Sequence, residues 1–225
     1  LGTTLAAHLA RNTHAVTLWG PFPNYIRRIQ KSRVNTKFLP GIHLQKSIRI
    51  TADLNSAIDG ADLIVFAVPS KYAPAILKKI RQTKIPLSKK IFLSVTKGID
   101  TNKLLRMSEI IRRELGNIPL AVLSGPTIAY EVAKGIPSTA VVASHNIATA
   151  KKIQAVFNSS SFRIYTNTDV IGVELGGSIK NIIALACGVC DGLGFGSNTK
   201  AAILTRGLAE MARLGTALGA KQKTF

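Results

Sequence analysis

The stretch LIVFAVPS, Leu63–Ser70, decides the fold. It contains a run of consecutive apolar residues, Leu63–Val68, and a proline follows at once. A strand with one face in water alternates apolar and polar residues, whereas a strand of a parallel sheet is covered on both faces and is apolar throughout. The run therefore predicts a buried parallel strand that ends at Pro69.

Similar runs on both sides of this strand alternate with amphipathic segments. Further strands are predicted at Ala15–Trp19, Ile48–Thr51, Ile91–Thr96, Leu120–Ser124, Thr139–Ala143 and Phe162–Tyr165. Apolar residues at spacings of three and four predict helices at Leu5–Arg11, Asn24–Arg33, Tyr72–Arg81, Leu104–Leu115, Ile128–Lys134 and Ala148–Phe157. This alternation is typical of a doubly wound α/β fold with a mostly parallel sheet.

The pattern changes after Tyr165, where the strand signals stop. Two long helical segments follow, Asp169–Cys190 and Asn198–Leu218, with a glycine-rich connection between them. We therefore expect a doubly wound, Rossmann-type domain at residues 1–166, followed by the start of an all-helical domain at residues 167–225.

We expect both ends of the chain to be incomplete. Leu1–Ala6 predicts the opening of a helix that feeds the strand at Ala15–Trp19, which is the order of a βαβ unit without its first strand. Gly2 would then be the last glycine of a dinucleotide-binding turn, the one that lets helix and strand pack closely. At the other end, Lys221–Phe225 stops where the helical domain has barely closed.

Composition narrows the function classes. The chain has 225 residues, 46% of them hydrophobic, which is enough for a large core and argues against disorder. Two cysteines are too few for a disulfide framework. The longest apolar run, Ile182–Val189, is too short to cross a bilayer, so we expect no membrane span and a cytoplasmic location.

The net charge of +19 raises the alternative of a basic nucleic-acid-binding α/β protein. The basic residues, however, lie at the ends and polar faces of the predicted helices, with no aromatic residues between them to stack on bases. We therefore expect no nucleic-acid partner. The same charge favours anionic small molecules such as phosphates and dinucleotides.

The octapeptide ELGGSIKN, Glu174–Asn181, places a lysine among very small residues. On a helix Lys180 shares its face with Gly176 and Gly177, and two glycines cost a helix roughly 1 kcal/mol each relative to alanine. We expect a ligand or another backbone to approach this face, which makes Lys180 a candidate general base. The alternative is a lysine whose stem packs on helices with its ammonium in water.

Three strand ends supply further polar groups, because ligands of open α/β sheets bind beyond the carboxyl ends of the strands. These ends are Val68-Pro69-Ser70, Thr96-Lys97-Gly98 and Ser124-Gly125-Pro126-Thr127. Each alone is also compatible with an ordinary loop. With Lys180 they predict a cleft between the two domains. The pair Cys187 and Cys190 lies in an apolar helix with no histidine nearby, so no metal site is expected.

Several motifs together resemble the bacterial NAD(P)-dependent glycerol-3-phosphate dehydrogenases. They are Val122–Thr127, Thr166–Asn181 and Thr205–Met211, and Leu39–Gly41, Val68–Ser70 and Thr96–Gly98 fall in the same order as in the family. The resemblance implies a small phosphorylated substrate, with sn-glycerol 3-phosphate and dihydroxyacetone phosphate interconverted by hydride transfer with NAD or NADP. It further implies that the reaction feeds glycerophospholipid synthesis and that the helical domain binds the substrate. It is also compatible with a homodimer.

The resemblance also implies site residues. Lys180 matches the proton acceptor, which also binds substrate, and Asn181 matches a neighbouring substrate-binding amide. Lys97 matches a lysine that touches both cofactor and substrate. Substrate-binding positions match Gly125 and Thr127; cofactor-binding positions match Leu1, Gly2, Tyr72 and Ala129.

Two departures from the family limit these expectations. The segment Leu18-Trp19-Gly20-Pro21 carries no acid to hold a ribose hydroxyl, so NAD and NADP both remain open. The family's later substrate-clamping motifs lie beyond Phe225, so we expect the 225 residues alone to lack part of the site. A related dehydrogenase that acts on another hydroxy acid remains the alternative.

Overall fold

The computed structural model describes all of residues 1–225. Its strands are β1 (Thr17–Trp19), β2 (Val34–Asn35), β3 (Leu39–His43), β4 (Arg49–Thr51), β5 (Leu63–Phe66), β6 (Ile91–Ser94), β7 (Ile99–Asp100), β8 (Leu105–Arg106), β9 (Leu120–Ser124), β10 (Ser138–Ala143) and β11 (Phe162–Asn167). Its α-helices are α1 (Gly2–Arg11), α2 (Pro23–Ser32), α3 (Leu54–Asp59), α4 (Ala73–Gln82), α5 (Met107–Leu115), α6 (Ala129–Lys134), α7 (Ile147–Phe157), α8 (Val170–Gly192) and α9 (Ser197–Ala217).

The main sheet has five strands in the order β11-β10-β9-β6-β5. The strands β5, β6 and β9 are parallel, β10 is antiparallel to β9, and β11 is parallel to β10. The predicted α/β fold with a mostly parallel sheet and a helical C-terminal part is therefore confirmed. The two-stranded parallel sheet β1-β4 is separate, with no hydrogen bonds to the larger one.

Both faces of the central strands of the main sheet are buried, as the apolar runs predicted. Successive residues of β6 show this, because Leu93 packs into the core beneath α1 and α7 whereas Phe92 packs into the core beneath α4 and α5. Leu93 is fully buried and Phe92 is 1% exposed. Helices on both faces make this a doubly wound sheet. The edge strands are less buried than predicted: Leu63–Val65 of β5 are half-buried, and Arg163 and Tyr165 of β11 are exposed, because each edge strand has a neighbour on one side only.

The helix α3 and the two-stranded antiparallel pairs β2-β3 and β7-β8 were not predicted. The helix α3 and the strands β2, β7 and β8 have too few residues for a period to develop, and β3 contains a proline and a glycine, which are uncommon inside strands. The helix predicted at Leu104–Leu115 begins only at Met107, because Leu105 and Arg106 pair with β7 and the Arg106 N–H donates to the Glu109 carboxylate at 2.9 Å. This N–H is one of the donors that the start of a helix leaves unpaired.

The helix α8 crosses one face of the sheet along β9. Near its start, Val170 and Val173 pack against Val122 and Ala143. One turn further on, Gly177 lies against Ser124, the last residue of β9. The helix therefore runs in the same direction as β9 and carries its later residues past the carboxyl end of the sheet.

The length and mean hydropathy of α8, 1.5 over its most apolar 18 residues, would also suit a helix that crosses a membrane. Its first half is a core helix of the α/β fold, since Val170, Val173, Leu175 and Gly177 are buried. Large apolar side chains of its second half, such as Ile182 and Leu185, are exposed.

Asp169 joins the start of α8 to the end of the chain. Its buried carboxylate accepts hydrogen bonds from Gly172 N at 2.9 Å, Lys221 N at 2.8 Å and Thr224 Oγ1 at 2.6 Å. Burial acts to raise the pKa of Asp169, but these hydrogen bonds and the Lys221 charge outweigh it, and the net pKa is lowered. The native state therefore stabilises the ionised carboxylate.

We expect Asp169→Asn to destabilise the protein by about 1–3 kcal/mol near pH 7, because an amide cannot accept all three hydrogen bonds. A carboxyl group whose folded pKa is lowered stabilises above its unfolded pKa and loses this stabilisation as the pH falls through the folded pKa. The difference in free energy of unfolding between wild type and variant should thus shrink below about pH 4. Urea unfolding of wild type and variant, near pH 7 and again below pH 4, measures this difference in free energy of unfolding. Asp59→Asn, at an exposed carboxylate without a hydrogen-bond partner, is the control; a difference that is constant with pH would contradict the assignment.

Candidate active site

The three predicted strand ends lie at one edge of the sheet. Because β5, β6 and β9 are parallel neighbours, Phe66 is level with Ser94, and Ser94 is level with Val122. The loops that follow are hydrogen-bonded to one another, since Thr96 Oγ1 donates to the Val68 carbonyl at 2.7 Å. The predicted cleft edge is therefore continuous.

Lys97 links two of these loops. Its Nζ donates to the Gly125 carbonyl at 3.0 Å and to Thr127 Oγ1 at 3.5 Å, and Thr127 is buried. Burial, followed by the positive charge of Lys180, lowers the pKa of Lys97. The sequence-predicted residues Lys97, Gly125 and Thr127 thus form one cluster, and Lys180 is close enough to act on it electrostatically.

Gly125 is required by its surroundings. Its φ is +155°, a value that other residues rarely adopt, and a Cβ there would lie 2.8 Å from both Ala140 Cα and the Thr139 carbonyl oxygen. Backbone atoms cannot move aside as a flexible side chain can. The turn that carries Thr127 towards Lys97 therefore depends on glycine.

Gly177 brings the Lys180 helix against this edge. A Cβ at Gly177 would overlap Ser124 Oγ and lie 3.1 Å from Ser124 Cβ and 4.0 Å from Lys97 Cγ. The sequence predicted that another group approaches the helix at Gly176 and Gly177. The structure shows this close approach at Gly177, and the group is Ser124 at the end of β9. At Gly176 a Cβ would make an ordinary 3.7 Å contact with Phe225. Lys180 is half-buried one turn beyond Gly177, and Asn181 is exposed beside it.

A cavity of about 280 Å³ opens beside Lys97. It is lined by Leu1, Ala67, Val68, Pro69, Val95, Thr96, Lys97 and Thr127. A Cβ at Gly2 would lie 3.0 Å from Ala67 Cβ, so α1 packs against the end of β5 as the last glycine of a dinucleotide-binding turn allows. These residues fit the nicotinamide cofactor that the sequence predicts.

The other predicted cofactor residues flank this region. Tyr72 is 57% exposed in the 3₁₀ turn that follows Pro69. Ala129 is the first residue of α6, and its carbonyl accepts a hydrogen bond from Thr4 Oγ1 of α1 at 3.0 Å. A larger depression of about 610 Å³ lies at the sheet edge between α7 and β11 and contains none of the predicted site residues.

Sequence reasoning missed a buried polar network behind the site. The Glu174 carboxylate on α8 accepts hydrogen bonds from Ser108 N at 2.7 Å, Ser108 Oγ at 2.6 Å and Arg106 Nη1 at 2.9 Å. Burial raises the pKa of Glu174, while the hydrogen bonds from Ser108 and the charge of Arg106 oppose this shift. An acid alone in an otherwise apolar helical stretch was the available signal, since such a group needs partners when buried.

Models of one family match both parts of the chain. The model described as "NAD-dependent glycerol-3-phosphate dehydrogenase N-terminus" matches residues 1–150, and the model of the C-terminus of the same enzyme matches residues 169–225. The chain belongs to the NAD-dependent glycerol-3-phosphate dehydrogenase family. The family resemblance predicted from the motifs is therefore confirmed.

Individual members of the family are similar over the whole chain. The glycerol-3-phosphate dehydrogenase [NAD(P)+] of Bacillus pumilus is 47% identical over 100% of this chain, and that of Bacillus velezensis is 48% identical over the same share. The chain spans 65% of the length of each of these two relatives.

Solved structures of the family have the same fold. The glycerol-3-phosphate dehydrogenase of Coxiella burnetii superposes with a TM-score of 0.91 at 37% identity, over 99% of this chain and 67% of its own. That of Saccharomyces cerevisiae superposes with a TM-score of 0.86 at 30% identity, over 100% of this chain and 70% of its own.

Proposed function

We propose that this chain forms the cofactor domain and part of the substrate site of a glycerol-3-phosphate dehydrogenase, which interconverts sn-glycerol 3-phosphate and dihydroxyacetone phosphate with NAD or NADP. The supporting observation is the cluster beyond the strand ends, where Lys97 lines the 280 Å³ cavity, contacts Gly125 and Thr127 and is within electrostatic range of Lys180. The names of the relatives support the same reaction.

Lys180 is proposed as the proton acceptor. During oxidation its neutral amine takes the proton of the C2 hydroxyl of glycerol 3-phosphate, and the hydride leaves C2 at the same time. The bound nicotinamide supplies the hydride acceptor. In the reverse direction the Lys180 ammonium returns the proton to the carbonyl oxygen, and a secondary alcohol forms.

Lys97, Gly125, Thr127 and Asn181 are proposed to hold the substrate. The Lys97 ammonium and the Thr127 hydroxyl can donate hydrogen bonds to an anionic or hydroxylated ligand in place of their present mutual contact. The strong positive charge of the chain attracts a phosphorylated substrate from a distance. The amide of Asn181, exposed next to Lys180, is a further donor to the same ligand.

Leu1, Gly2, Tyr72, Lys97 and Ala129 are proposed as cofactor-binding positions. Leu1 and Lys97 line the cavity, and Gly2 keeps α1 close to β5. A domain boundary between residues 166 and 167 is also proposed. The last strand ends within one residue of it, at Asn167, although the first turns of α8 still pack on the sheet. We propose a soluble cytoplasmic enzyme without a nucleic-acid partner, active in supplying glycerophospholipid synthesis and compatible with a homodimer.

Initial rates of the full-length enzyme test the proposal. We expect nicotinamide reduction with sn-glycerol 3-phosphate and nicotinamide oxidation with dihydroxyacetone phosphate, each followed by absorbance with NAD and with NADP in turn. Unphosphorylated glycerol serves as the control for recognition of the phosphate. Turnover of a different hydroxy acid, with none of glycerol 3-phosphate, would contradict the substrate assignment. Salt-sensitive retention on DNA without a nicotinamide fluorescence change would contradict the enzyme assignment.

A further inference from the structure

The helix α8 contacts the rest of the site at two polar points. Glu174 and Ser178 are one turn apart, so their side chains lie on the same face of the helix. Gly177, the position of closest approach to β9, belongs to the same region of this face. The two polar contacts therefore lie where α8 is pressed against the sheet, just before Lys180.

Glu174 makes the first contact. Its side chain is only 7% exposed, and both oxygens of its carboxylate accept hydrogen bonds, Oε1 from Ser108 N and Oε2 from Ser108 Oγ and Arg106 Nη1. Arg106 and Ser108 belong to β8 and the first turn of α5, so the contact joins α8 to a different part of the fold. A buried carboxylate with this many donors has one well-defined position.

Ser178 makes the second contact. Its hydroxyl accepts a hydrogen bond from Gly98 N at 3.0 Å and donates one to the Glu174 carbonyl at 2.8 Å. Gly98 follows Lys97 in the chain and has a φ of +120°, so its N–H is part of the turn that presents Lys97. Through Ser178, α8 is tied directly to the Lys97 loop.

We propose that Glu174 is a positioning residue. Its contacts with Arg106 and Ser108, together with the Ser178–Gly98 hydrogen bond, fix the distance of α8 from the sheet and its rotation about its own axis, and so place Lys180 near Lys97. The inference rests on the proposed function, because it assigns Glu174 its role by the position of Lys180. Glu174 touches neither substrate nor cofactor in this account.

Contacts that hold α8 in place are needed because the positive charges of Lys97 and Lys180 repel each other. Lys180 follows Glu174 by six residues, about 9 Å along the helix at 1.5 Å per residue, so a small rotation at Glu174 is passed on to Lys180. Apolar packing at Val170 and Val173 holds the start of α8, but it does not fix the rotation of the turns beyond. The ion pair with Arg106 and the hydrogen bonds of Ser108 supply that constraint.

Glu174→Gln in the full-length enzyme tests the proposal. The variant keeps the shape of the side chain and loses the charge that faces Arg106. We expect kcat to fall by about 10–100-fold, the effect of misplacing a catalytic group by about 1 Å, while KM for the nicotinamide stays unchanged. The matched control is Glu109→Gln, because Glu109 is the other carboxylate paired with Arg106, at 3.2 Å, and does not contact α8.

A second measurement does not depend on turnover. In lysine-selective NMR, the pKa of Lys97 is expected below its ordinary value in the wild type and closer to that value in Glu174→Gln, because Lys180 moves away. The charged group that acts on Lys97 is Lys180 on α8, whereas the neighbouring Gly125 carbonyl and Thr127 hydroxyl do not titrate in this range. Glu109→Gln should leave the Lys97 titration unchanged.

The outcomes separate the two proposals. No turnover of glycerol 3-phosphate by the wild type would refute the proposed function, while the Lys97 titration still decides the role of Glu174. Equal behaviour of Glu174→Gln and Glu109→Gln in both measurements would overturn the positioning role. If Glu174→Gln does not fold, Ser178→Ala is the second variant, because it removes the hydrogen bonds of the Ser178 hydroxyl to Gly98 N and to the Glu174 carbonyl and leaves the Glu174 carboxylate in place. It must shift the Lys97 titration in the same direction, and an unchanged titration would overturn the proposal.

Discussion

Replacement of Lys180 by alanine is expected to lower kcat by about 10²–10⁴-fold, the usual contribution of a general acid or base. Lys180 is the half-buried cation at the junction of α8 with the three strand ends, and its charge reaches Lys97. Alanine favours the helix more than lysine does, so the fold should not suffer. Initial rates in both directions measure the loss.

Binding of the nicotinamide should survive this substitution, because the cavity that we assign to it is lined by Leu1 and by residues at the strand ends and not by Lys180. Fluorescence titration with NADH or NADPH checks this. Lys152→Ala, at an exposed position of α7, is the matched control and should leave kcat unchanged. Wild-type turnover in Lys180→Ala would rule out the proton-transfer role.

Gly177→Ala should both destabilise the protein and reduce turnover. The added Cβ would overlap Ser124 Oγ and lie 3.1 Å from Ser124 Cβ. The hydroxyl can rotate away, but the Ser124 Cβ cannot, so α8 must move off the end of β9. Overpacking of this kind costs typically about 1–3 kcal/mol. The same shift displaces Lys180, and we expect kcat to fall by about 100-fold.

Gly188→Ala provides the control within the same helix. A Cβ at Gly188 would have no neighbour within 4 Å, and the position is exposed. Alanine there should stabilise the protein by about 1 kcal/mol through helix propensity and leave kcat unchanged. Thermal unfolding and initial rates on both variants separate steric contact from propensity. Equal effects of the two substitutions would show that α8 does not need to approach β9 closely.

The sheet and its polar edge were predictable because their signals are local. A run such as Leu63–Val68 specifies burial on both faces, and the parallel direction of its neighbours brings the three loop ends to one edge. The same logic placed Lys97, Gly125 and Thr127 together. The glycine pair before Lys180 predicted a close approach, although the sequence did not reveal that Ser124 is the group that approaches Gly177.

The Glu174 network could not be predicted, because its members are far apart in sequence. Arg106 and Glu174 are separated by 68 positions, and no periodic pattern connects them. The pairing depends on where α8 crosses the sheet, which is a property of tertiary packing. The short helix α3 was missed for a different reason: it is too short to show a period, even though Asp53 caps its start by accepting a hydrogen bond from Asn55 N at 3.0 Å.

The most direct test of the account is a crystal structure of the full-length enzyme with NAD(P) and glycerol 3-phosphate bound. The decisive measurement is the distance from Lys180 Nζ to the C2 hydroxyl oxygen of the substrate. We predict hydrogen-bond contact, about 2.6–3.2 Å, with the nicotinamide ring in the cavity beside Lys97 and Thr127. A substrate bound at this edge with C2 out of reach of Lys180, or bound elsewhere on the protein, would contradict it.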